Sequence, residues 1–482
     1  MKRFFMVGLL ALVFGVVLGA VAPATIYKLD NGMTVIYTYN PSKLVAVRIY
    51  TKVGSVYEGR FLGAGLSHFM EHTMTKGTKN YDKKAYEKFT QEIGGQKNAY
   101  TSKDKTCYHY LIVEEDFPKL MHYIADFYRY PLFTDKEVET QREIIHNEMK
   151  LGQDNMNKKL YQLLNSEVFQ YHPLQFPTIG YKELFDSLKR DDLVDFYREN
   201  YYPENTILSV AGDIDPATVI KYAKKYFGDW EHRFIATPYV TPEPKQDGYR
   251  ERVLYHEKPV TYSRMGYRTI AFNDDDMYPL DLLATILGGN NSSIFNKILR
   301  DELSMVSSVS VYSSTPRYDA GLFVVKFDAP DSVNYRDIRD KIIELIESIK
   351  DGELISKDRI KIAKASIRNS RKNVENVADI AEGVAVNYML SGNSNFDDIY
   401  IDRIDAVTKK DLVRVAREYL NREQLSFVAY APITQREMPV EVSKKTSKEL
   451  EISQMKLKNG VQIISIKNPY IEKTAINFVT YG

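Results

Sequence analysis

The sequence predicts an α+β protein built from two related α/β domains. At 482 residues the chain is longer than one domain usually needs, so we expect two to four domains. Strand-like alternation and helical spacing of apolar residues follow each other along the chain. A helix-like segment followed by an apolar strand occurs twice, once from Asp192 and once from Asp411, which favours a duplicated unit.

The first predicted elements form a pair of strands. The stretch from Ile26 to Tyr39 has strand character, and Asn31-Gly32 in its middle favours a two-residue turn. Val45 to Val53 alternates again and predicts a third strand. Further along the chain, periodicity predicts two helices and then a strand, at 118–130, 135–151 and 206–210.

Composition sets the predicted domain boundaries. A stretch rich in proline and polar residues predicts a linker at 231–248. We therefore expect a first domain at 26–230 and a second, homologous domain at 249–432. A further linker is expected at 433–454.

A clearer repeat relates the two ends of the chain. Residues 27–54 align without a gap to residues 455–482, so that Gly32 matches Gly460 and Gly54 matches Gly482. Two unrelated hairpins that share turn residues are the alternative. We interpret 455–482 as the start of a further repeat that is truncated.

The N-terminus has the pattern of a secretory signal or a membrane anchor. Lys2 and Arg3 precede an uncharged apolar run from Phe4 to Ala22, which ends in small residues. Left uncleaved, this run is long enough to span a bilayer. We predict a leader at 1–22 and an exported protein that is periplasmic, extracellular or anchored to the membrane.

Charge and cysteine content exclude several functions. Lysine and arginine number 65 against 64 aspartate and glutamate, and this balance gives no support for nucleic-acid binding. The single cysteine, Cys107, has no partner for an internal disulfide. It also excludes a zinc site built from several thiolates.

The segment "GLSHFMEHTMTKGT" carries the residues with the clearest chemistry. His68 and His72 are four residues apart, so on a helix both imidazoles face the same way and can reach one zinc ion. Glu71 shares that face and is placed to take a proton from a zinc-activated water. The alternative is a surface helix that carries this pattern by chance.

A catalytic zinc usually keeps three protein ligands, so a third must come from another element. Glu148, in "ETQREIIHNEMK", is the preferred candidate because it borders the helix face that Ile145 should bury. His146 is the rival. The two lie about 200° apart around the helix, so only one can face the ion.

These residues resemble a known family. H-x-x-E-H is the inverzincin motif, and the wider match is to the pitrilysin/insulinase family, closest to its mitochondrial-processing-peptidase-like branch. The resemblance runs from about residue 26 to residue 432. The matching segments follow in the family's order, as "LDNGMTVI", "GLSHFMEHTMTKGT", "GGQKNAYTSKDKTCYHY", "QREIIHNEM", "HPLQFPTIG", "YYPENTILSVAGDID" and "LGGNNSSIFNKILRDEL".

The resemblance implies two domains, each a mainly antiparallel sheet covered by helices, with metal only in the first. It implies one Zn²⁺ per chain held by His68, His72 and Glu148, with Glu71 as the general base. The expected function is therefore a zinc metalloendopeptidase that cleaves peptides or unfolded polypeptides.

The resemblance also implies a substrate-binding strand at Asn98 and Ala99. A strand edge has unpaired backbone groups, and an extended peptide can add to it. From the residues alone, an ordinary transition from turn to strand after Gly94-Gly95 is the alternative.

Two positions depart from the family pattern. Gln141 stands seven residues before Glu148, where relatives usually carry a glutamate, so support of the metal by hydrogen bonding lacks a charge there. Relatives also carry an arginine-tyrosine pair, seven residues apart, that contributes to substrate binding. Here Arg300 begins the corresponding stretch and Ser307 stands where tyrosine is expected.

Relatives work as two such units, so we expect a second homologous unit. A partner chain, self-association or a continuation missing after Gly482 would each supply it. Two other functions remain. One is a non-catalytic or weakly active subunit that acts as a scaffold for a second peptidase unit, although such subunits usually lose the metal motif. The other is an exported metal-binding protein without hydrolysis, in which Glu71 has no role.

Overall fold

The computed structural model describes residues 22–233, 239–272, 274–317, 321–372, 374–436 and 451–467. The chain forms two compact units, which divide between Ile433 and Thr434. Nearly all of the predicted leader and the repeat residues 468–482 lie outside the described residues. Among the helices that are described, none combines the length and the apolar character that a membrane span requires.

The first half of the larger unit contains a six-stranded sheet. Its strands are β1 (Thr25–Lys28), β2 (Thr34–Tyr39), β3 (Leu44–Thr51), β4 (Gln96–Thr101), β5 (Thr106–Val113) and β6 (Thr206–Gly212). Their order is β1-β2-β6-β3-β5-β4, and only β2 and β6 run parallel. The accompanying helices are α1 (Leu66–Met74), α2 (Lys83–Ile93), α3 (Phe117–Arg129), α4 (Asp135–Gly152), α5 (Met156–Val168), α6 (Lys182–Asp186), α7 (Arg190–Asn200) and α8 (Pro216–Phe227).

The second half contains a five-stranded sheet. Its strands are β7 (Arg250–His256), β8 (Val260–Arg268), β9 (Ser308–Ser314), β10 (Leu322–Pro330) and β11 (Leu425–Pro432). Their order is β7-β11-β8-β10-β9, and only β7 and β11 run parallel. The helices are α9 (Met277–Gly288), a π-helix (Asn296–Glu302), α10 (Tyr335–Lys350), α11 (Lys357–Lys372), α12 (Val377–Ser391), α13 (Phe396–Ala406) and α14 (Lys409–Tyr419).

The two sheets share one topology. Strands β2 to β6 of the first sheet correspond in chain order, neighbours and direction to β7 to β11 of the second. The helix–strand pairs expected from Asp192 and Asp411 are α7 with β6 and α14 with β11, and they occupy the same place in each half. The predicted fold class, two mainly antiparallel sheets covered by helices, is confirmed.

Each sheet is covered on one face by a helix from the other half. Helix α12 packs on the first sheet, where Val384 and Ala385 bury Cys107, and the Ser209 hydroxyl donates to the Ala381 carbonyl (2.7 Å). In the opposite direction, α5 packs on the second sheet, and its Leu164 belongs to an apolar cluster with residues of β10 and β11. The two halves therefore exchange helices and share the apolar clusters that lie beneath them.

The predicted linker is anchored to the first half. The described part of 231–248 contains no helix or strand. Glu243 is nevertheless buried, because its Oε2 accepts hydrogen bonds from the N–H groups of Tyr171 (2.8 Å) and His172 (2.9 Å).

The two-residue turn expected at Asn31-Gly32 is wrong. The Leu29 N–H donates to the Met33 carbonyl (2.9 Å), which closes a three-residue loop between β1 and β2. Gly32 has a φ of 87°, a conformation that glycine adopts easily. The longer loop lets the Asn31 amide donate to the Phe227 carbonyl at the end of α8 (2.6 Å).

The smaller unit contains a hairpin, formed by β12 (Glu451–Lys456) and β13 (Gln462–Lys467). It starts inside the stretch expected to be a linker, four residues before the expected start of the repeat at 455. Its loop repeats that of the first hairpin: Leu457 N–H donates to the Val461 carbonyl (2.8 Å), and Gly460 has a φ of 90°. The described part of the sequence repeat thus adopts the same local structure twice.

The helix exchange predicts that the two halves unfold together. Leu164 is 1% exposed, so Leu164→Ala should lower the free energy of unfolding by about 2–5 kcal/mol. Urea unfolding should be followed by the fluorescence of the single tryptophan, Trp230 in the first half, and by far-ultraviolet circular dichroism. Leu151→Ala, at a leucine that is 72% exposed, is the control. A Trp230 transition that stays in place while the dichroism transition shifts would contradict the shared core.

Candidate active site

Helix α1 carries His68, Glu71 and His72, and its start is fixed by an unusual cap. Gly65 precedes the helix with a φ of 73°. A Cβ at this position would lie 2.3 Å from the Ile179 carbonyl oxygen, so only glycine fits. The first turn of the helix is therefore held closely against the loop that follows α5.

The cap itself is the carboxylate of Glu58. Its Oε1 accepts from the Ser67 N–H (2.8 Å) and its Oε2 from the Gly65 N–H (3.2 Å), which satisfies two amides at the helix start. Glu58 is 2% exposed, and burial raises its pKa to about 7. Glu58 was not predicted as a cap, because capping residues are expected next to the helix and Glu58 lies seven residues before Gly65.

The side chains of His68, His72 and Glu148 converge. His68 Nε2 lies 3.6 Å from Glu148 Oε2, and His72 Nε2 lies 3.5 Å from Glu148 Oε1. All three ligand atoms lie within 4.8 Å of one another. Helix α4 brings Glu148 to this place by packing against α1, where the Arg142 guanidinium lies over the Phe69 ring (5.2 Å).

The electrostatics of the two histidines suit metal binding. Burial, and the nearby His72, lower the pKa of His68 to about 3, and burial also lowers the pKa of His72. Both imidazoles are thus neutral at pH 7, with a nitrogen lone pair available to a cation. Two neutral imidazoles and one carboxylate are a donor set of catalytic zinc sites, which keep a fourth position open. Zinc fits the residues present.

Gln141 and His146, which lie near Glu148 on α4, face different neighbours. Gln141 is buried and hydrogen-bonds to His72. His146 points away from the group, because its Nε2 lies 2.6 Å from Asp186 Oδ1 on α6. Glu148, and not His146, therefore joins the histidine pair.

Glu71 lies beside this group and is oriented by the neighbouring strand. Its Oε2 accepts a hydrogen bond from the Thr101 hydroxyl on β4 (2.6 Å). Burial raises the pKa of Glu71 to about 7, and the negative charge of Glu148 contributes in the same direction. A carboxylate with a pKa near the ambient pH can both accept and release a proton.

Asn98 and Ala99 lie on β4, the last strand of the described sheet. One side of β4 pairs with β5, where Ala99 is opposite Tyr108. The Ala99 N–H donates a local hydrogen bond to the Asn98 side-chain oxygen (2.9 Å). Because the Thr101 hydroxyl of the same strand reaches Glu71, one face of β4 lies next to α1.

Arg300 is not brought to this group by its described contacts. It lies in the π-helix of the second half, where Nε is 2.8 Å from Asp301 Oδ1 and Nη1 donates to Asn291 Oδ1 (3.2 Å). Its role in substrate binding stays a prediction. Helix α9, which takes the place of α1 in the second half, has the sequence "MYPLDLLATILG" and carries no histidine.

Two family profiles match successive parts of the chain. Residues 34–182 match the insulinase family (peptidase family M16), and residues 187–367 match the inactive domain of peptidase family M16. The half that carries the histidines thus matches the first profile, and most of the second match lies in the half whose equivalent helix lacks them.

Several named proteins are similar to this chain over most of their length. The zinc protease PqqE of Helicobacter pylori is 28% identical over 454 residues, which cover 90% of this chain and 100% of that protein. A zinc protease of Rickettsia felis is 28% identical over 404 residues, covering 82% and 94%. The mitochondrial-processing peptidase subunit beta of Saccharomyces cerevisiae is 25% identical over 417 residues, covering 83% and 90%.

Solved structures show the same fold. A protease from Helicobacter pylori superposes with a TM-score of 0.78 at 27% identity, covering 85% of this chain and 100% of that chain. The periplasmic protease PqqL from Escherichia coli superposes with a TM-score of 0.73 at 18% identity. This chain is covered to 94% in that match, and PqqL to 57%.

The Glu58 cap predicts how stability depends on pH. An acid whose pKa is higher in the folded state holds its proton more tightly there. Stability is therefore lost as pH rises from the unfolded value near 4.5 to about 7. We expect the free energy of unfolding, measured by urea with a chelator present, to fall across this window, and to fall less in Glu58→Gln.

Glu71 acts in the same direction, so the Glu58→Gln variant should keep part of the pH dependence. Glu143→Gln, at an exposed position of α4, should keep all of it. Identical pH dependence in Glu58→Gln and the wild type would show that Glu58 is not the buried acid described above.

Proposed function

Since the chain belongs to the insulinase family of peptidases (family M16), we propose that it is a zinc-dependent endopeptidase that cleaves peptides or unfolded polypeptides. The observation that carries this proposal is the convergence of His68, His72 and Glu148, with ligand atoms within 4.8 Å, beside the half-buried Glu71. In this proposal the three converging side chains hold one zinc ion and Glu71 is the general base.

The chain's own residues account for the proton transfers. When bound, zinc supplies a Lewis acid that lowers the pKa of a coordinated water to about 7 and polarises the scissile carbonyl. Glu71 accepts the proton that the attacking water loses and then donates it to the amine that leaves. The Thr101 hydroxyl holds one oxygen of that carboxylate (2.6 Å), which leaves the other oxygen for proton transfer.

The proposed substrate is an extended peptide. The free edge of β4, at Asn98 and Ala99, offers backbone groups to which a peptide can add as a further strand. A folded protein rarely presents such a segment, so unfolded polypeptides and short peptides fit this site best. The small side chain of Ala99 supports a close approach of the substrate backbone.

We also propose that the protein is exported. The apolar run that follows Lys2 and Arg3 supports this proposal, and the similar protein PqqL is a periplasmic protease. Fractionation of expressing cells tests it, and a pool found only in the cytosol would contradict it.

Substitution of Glu71 tests the general base. Glu71→Gln should lower kcat by about 10²–10⁴-fold because an amide cannot accept the proton of the water. The zinc content should stay at one ion per chain, since the three proposed ligands are intact. Peptide hydrolysis and metal analysis of the same sample measure both quantities. Activity within a few-fold of the wild type would show that Glu71 is not the base.

Substitution of Glu148 tests the third ligand. Glu148→Gln should weaken zinc binding by more than about tenfold, since even residues that only support a ligand typically contribute that much. The measurement is a titration of the metal-free protein with zinc. Glu143→Gln, at an exposed position five residues earlier on α4, should bind zinc normally. Unchanged affinity in Glu148→Gln would make His146 the candidate.

We further propose that full activity requires a second homologous unit. Ser307, where relatives have tyrosine, donates its hydroxyl to the Asp328 carbonyl (2.9 Å) and cannot replace a phenol. Among the similar proteins, one is a processing-peptidase subunit, and PqqL is considerably longer than the part matched here.

The isolated chain should therefore hydrolyse peptides slowly. Addition of a homologous unit that carries both arginine and tyrosine should raise the rate by roughly 10²–10³-fold, the contribution of one donor to the developing oxyanion. Rapid turnover by a monomeric chain, with no gain from the added unit, would refute this requirement. It would not contradict the proposed zinc site. Slow turnover that no such unit accelerates would instead favour the scaffold function.

A further inference from the structure

Strand β4 is held from both faces by consecutive side chains. Side chains alternate between the faces of a sheet. Thr101 therefore faces α1, where its hydroxyl donates to Glu71 (2.6 Å). Tyr100 faces the opposite side, and its phenol donates to Glu382 Oε1 (2.9 Å). Glu382 belongs to α12, the helix that the second half lays across the first sheet.

The other oxygen of Glu382 is also engaged. Its Oε2 lies 3.1 Å from Nη2 of Arg48 on the central strand β3. Arg48 is 5% exposed, and its Nε donates to the Ala378 carbonyl one turn earlier on α12 (3.1 Å). One carboxylate thus connects α12 to a central strand through an ion pair and to the edge strand through a phenol.

An edge strand depends on such contacts more than a central strand does. Within the described sheet, β4 has backbone hydrogen bonds to β5 only. Contacts of its side chains must therefore limit movement of the strand relative to the rest of the sheet. A peptide that adds to β4 is positioned relative to the His68 helix by the strand itself. A strand that is held less firmly must be ordered when the peptide adds to it, and that ordering weakens peptide binding.

We infer that Glu382 is a positioning residue for peptide binding, which acts through Tyr100 to fix the substrate edge of β4 relative to α1. The inference rests on the proposed peptidase function. It makes substrate binding in the first half depend on a helix from the second half, although Glu382 itself lies on the sheet face opposite to α1.

Tyr100→Phe is the cleanest test because it removes one hydroxyl and leaves the ion pair between Arg48 and Glu382 in place. With an extended peptide substrate, KM should rise by roughly tenfold, as expected for loss of a hydrogen bond to a charged acceptor. The value of kcat should stay within about twofold and the zinc content should not change. Unchanged KM in a folded variant would overturn the inference.

Further variants separate positioning from general stability. Glu382→Gln keeps an acceptor for the phenol and should have a KM close to the wild type, whereas Glu382→Ala should raise KM as Tyr100→Phe does. The double variant with Tyr100→Phe should be no worse than Glu382→Ala alone. Asp379→Asn, exposed on the same helix, is the matched control. Equal loss of kcat and zinc in Glu382→Ala and Glu382→Gln would show a structural role and overturn the inference.

A second measurement does not depend on turnover. Amide hydrogen exchange of residues 96–101 should be faster in Tyr100→Phe than in the wild type, while exchange in β3 should not change. Unaltered exchange in β4 would overturn the inference even if the protein is an active peptidase. Faster exchange in β4 of a protein that hydrolyses no peptide would uphold the contact and reject the proposed function.

Discussion

The exchange of helices between the two halves is the constraint on which the rest of the larger unit depends. Neither sheet buries both of its faces with helices from its own half, since α12 completes the first sheet and α5 completes the second. A half folded alone would expose the apolar face that the other half normally covers. Each Å² of apolar surface exposed in this way costs about 25 cal/mol of stability. The side of the first sheet that carries α1 is therefore stable only when its opposite side is covered.

The geometry of the candidate site depends in turn on contacts within the first half. Glu58 and the close approach at Gly65 fix the start of α1, and the packing of Arg142 on Phe69 fixes α4 against it. These contacts place two histidines and a glutamate from distant parts of the chain within reach of one ion. Because these contacts depend on the buried carboxylate of Glu58, on a glycine and on a guanidinium packed against a buried ring, the geometry tolerates little substitution.

The sequence allowed prediction of whatever depends on local spacing. His68, Glu71 and His72 follow from helical periodicity, which also favoured Glu148 over His146, and the family resemblance added support for Glu148. Glu58 and Glu382 could not be predicted, because their partners are chosen by tertiary packing and leave no local pattern. The prediction at Asn31-Gly32 was wrong for a local reason. The same three-residue loop recurs at 457–461, so an Asn-Gly dipeptide fits a three-residue loop that ends in glycine as well as a two-residue turn.

The burial of Cys107 beneath α12 makes this thiol a chemical probe of the contact between the two halves. The thiol is fully buried, and burial raises its pKa to about 12, so almost no reactive thiolate exists at neutral pH. An alkylating reagent can modify it only when α12 separates from the first sheet. As the single cysteine of the chain, it converts the rate of alkylation into a direct readout of how often the two halves part.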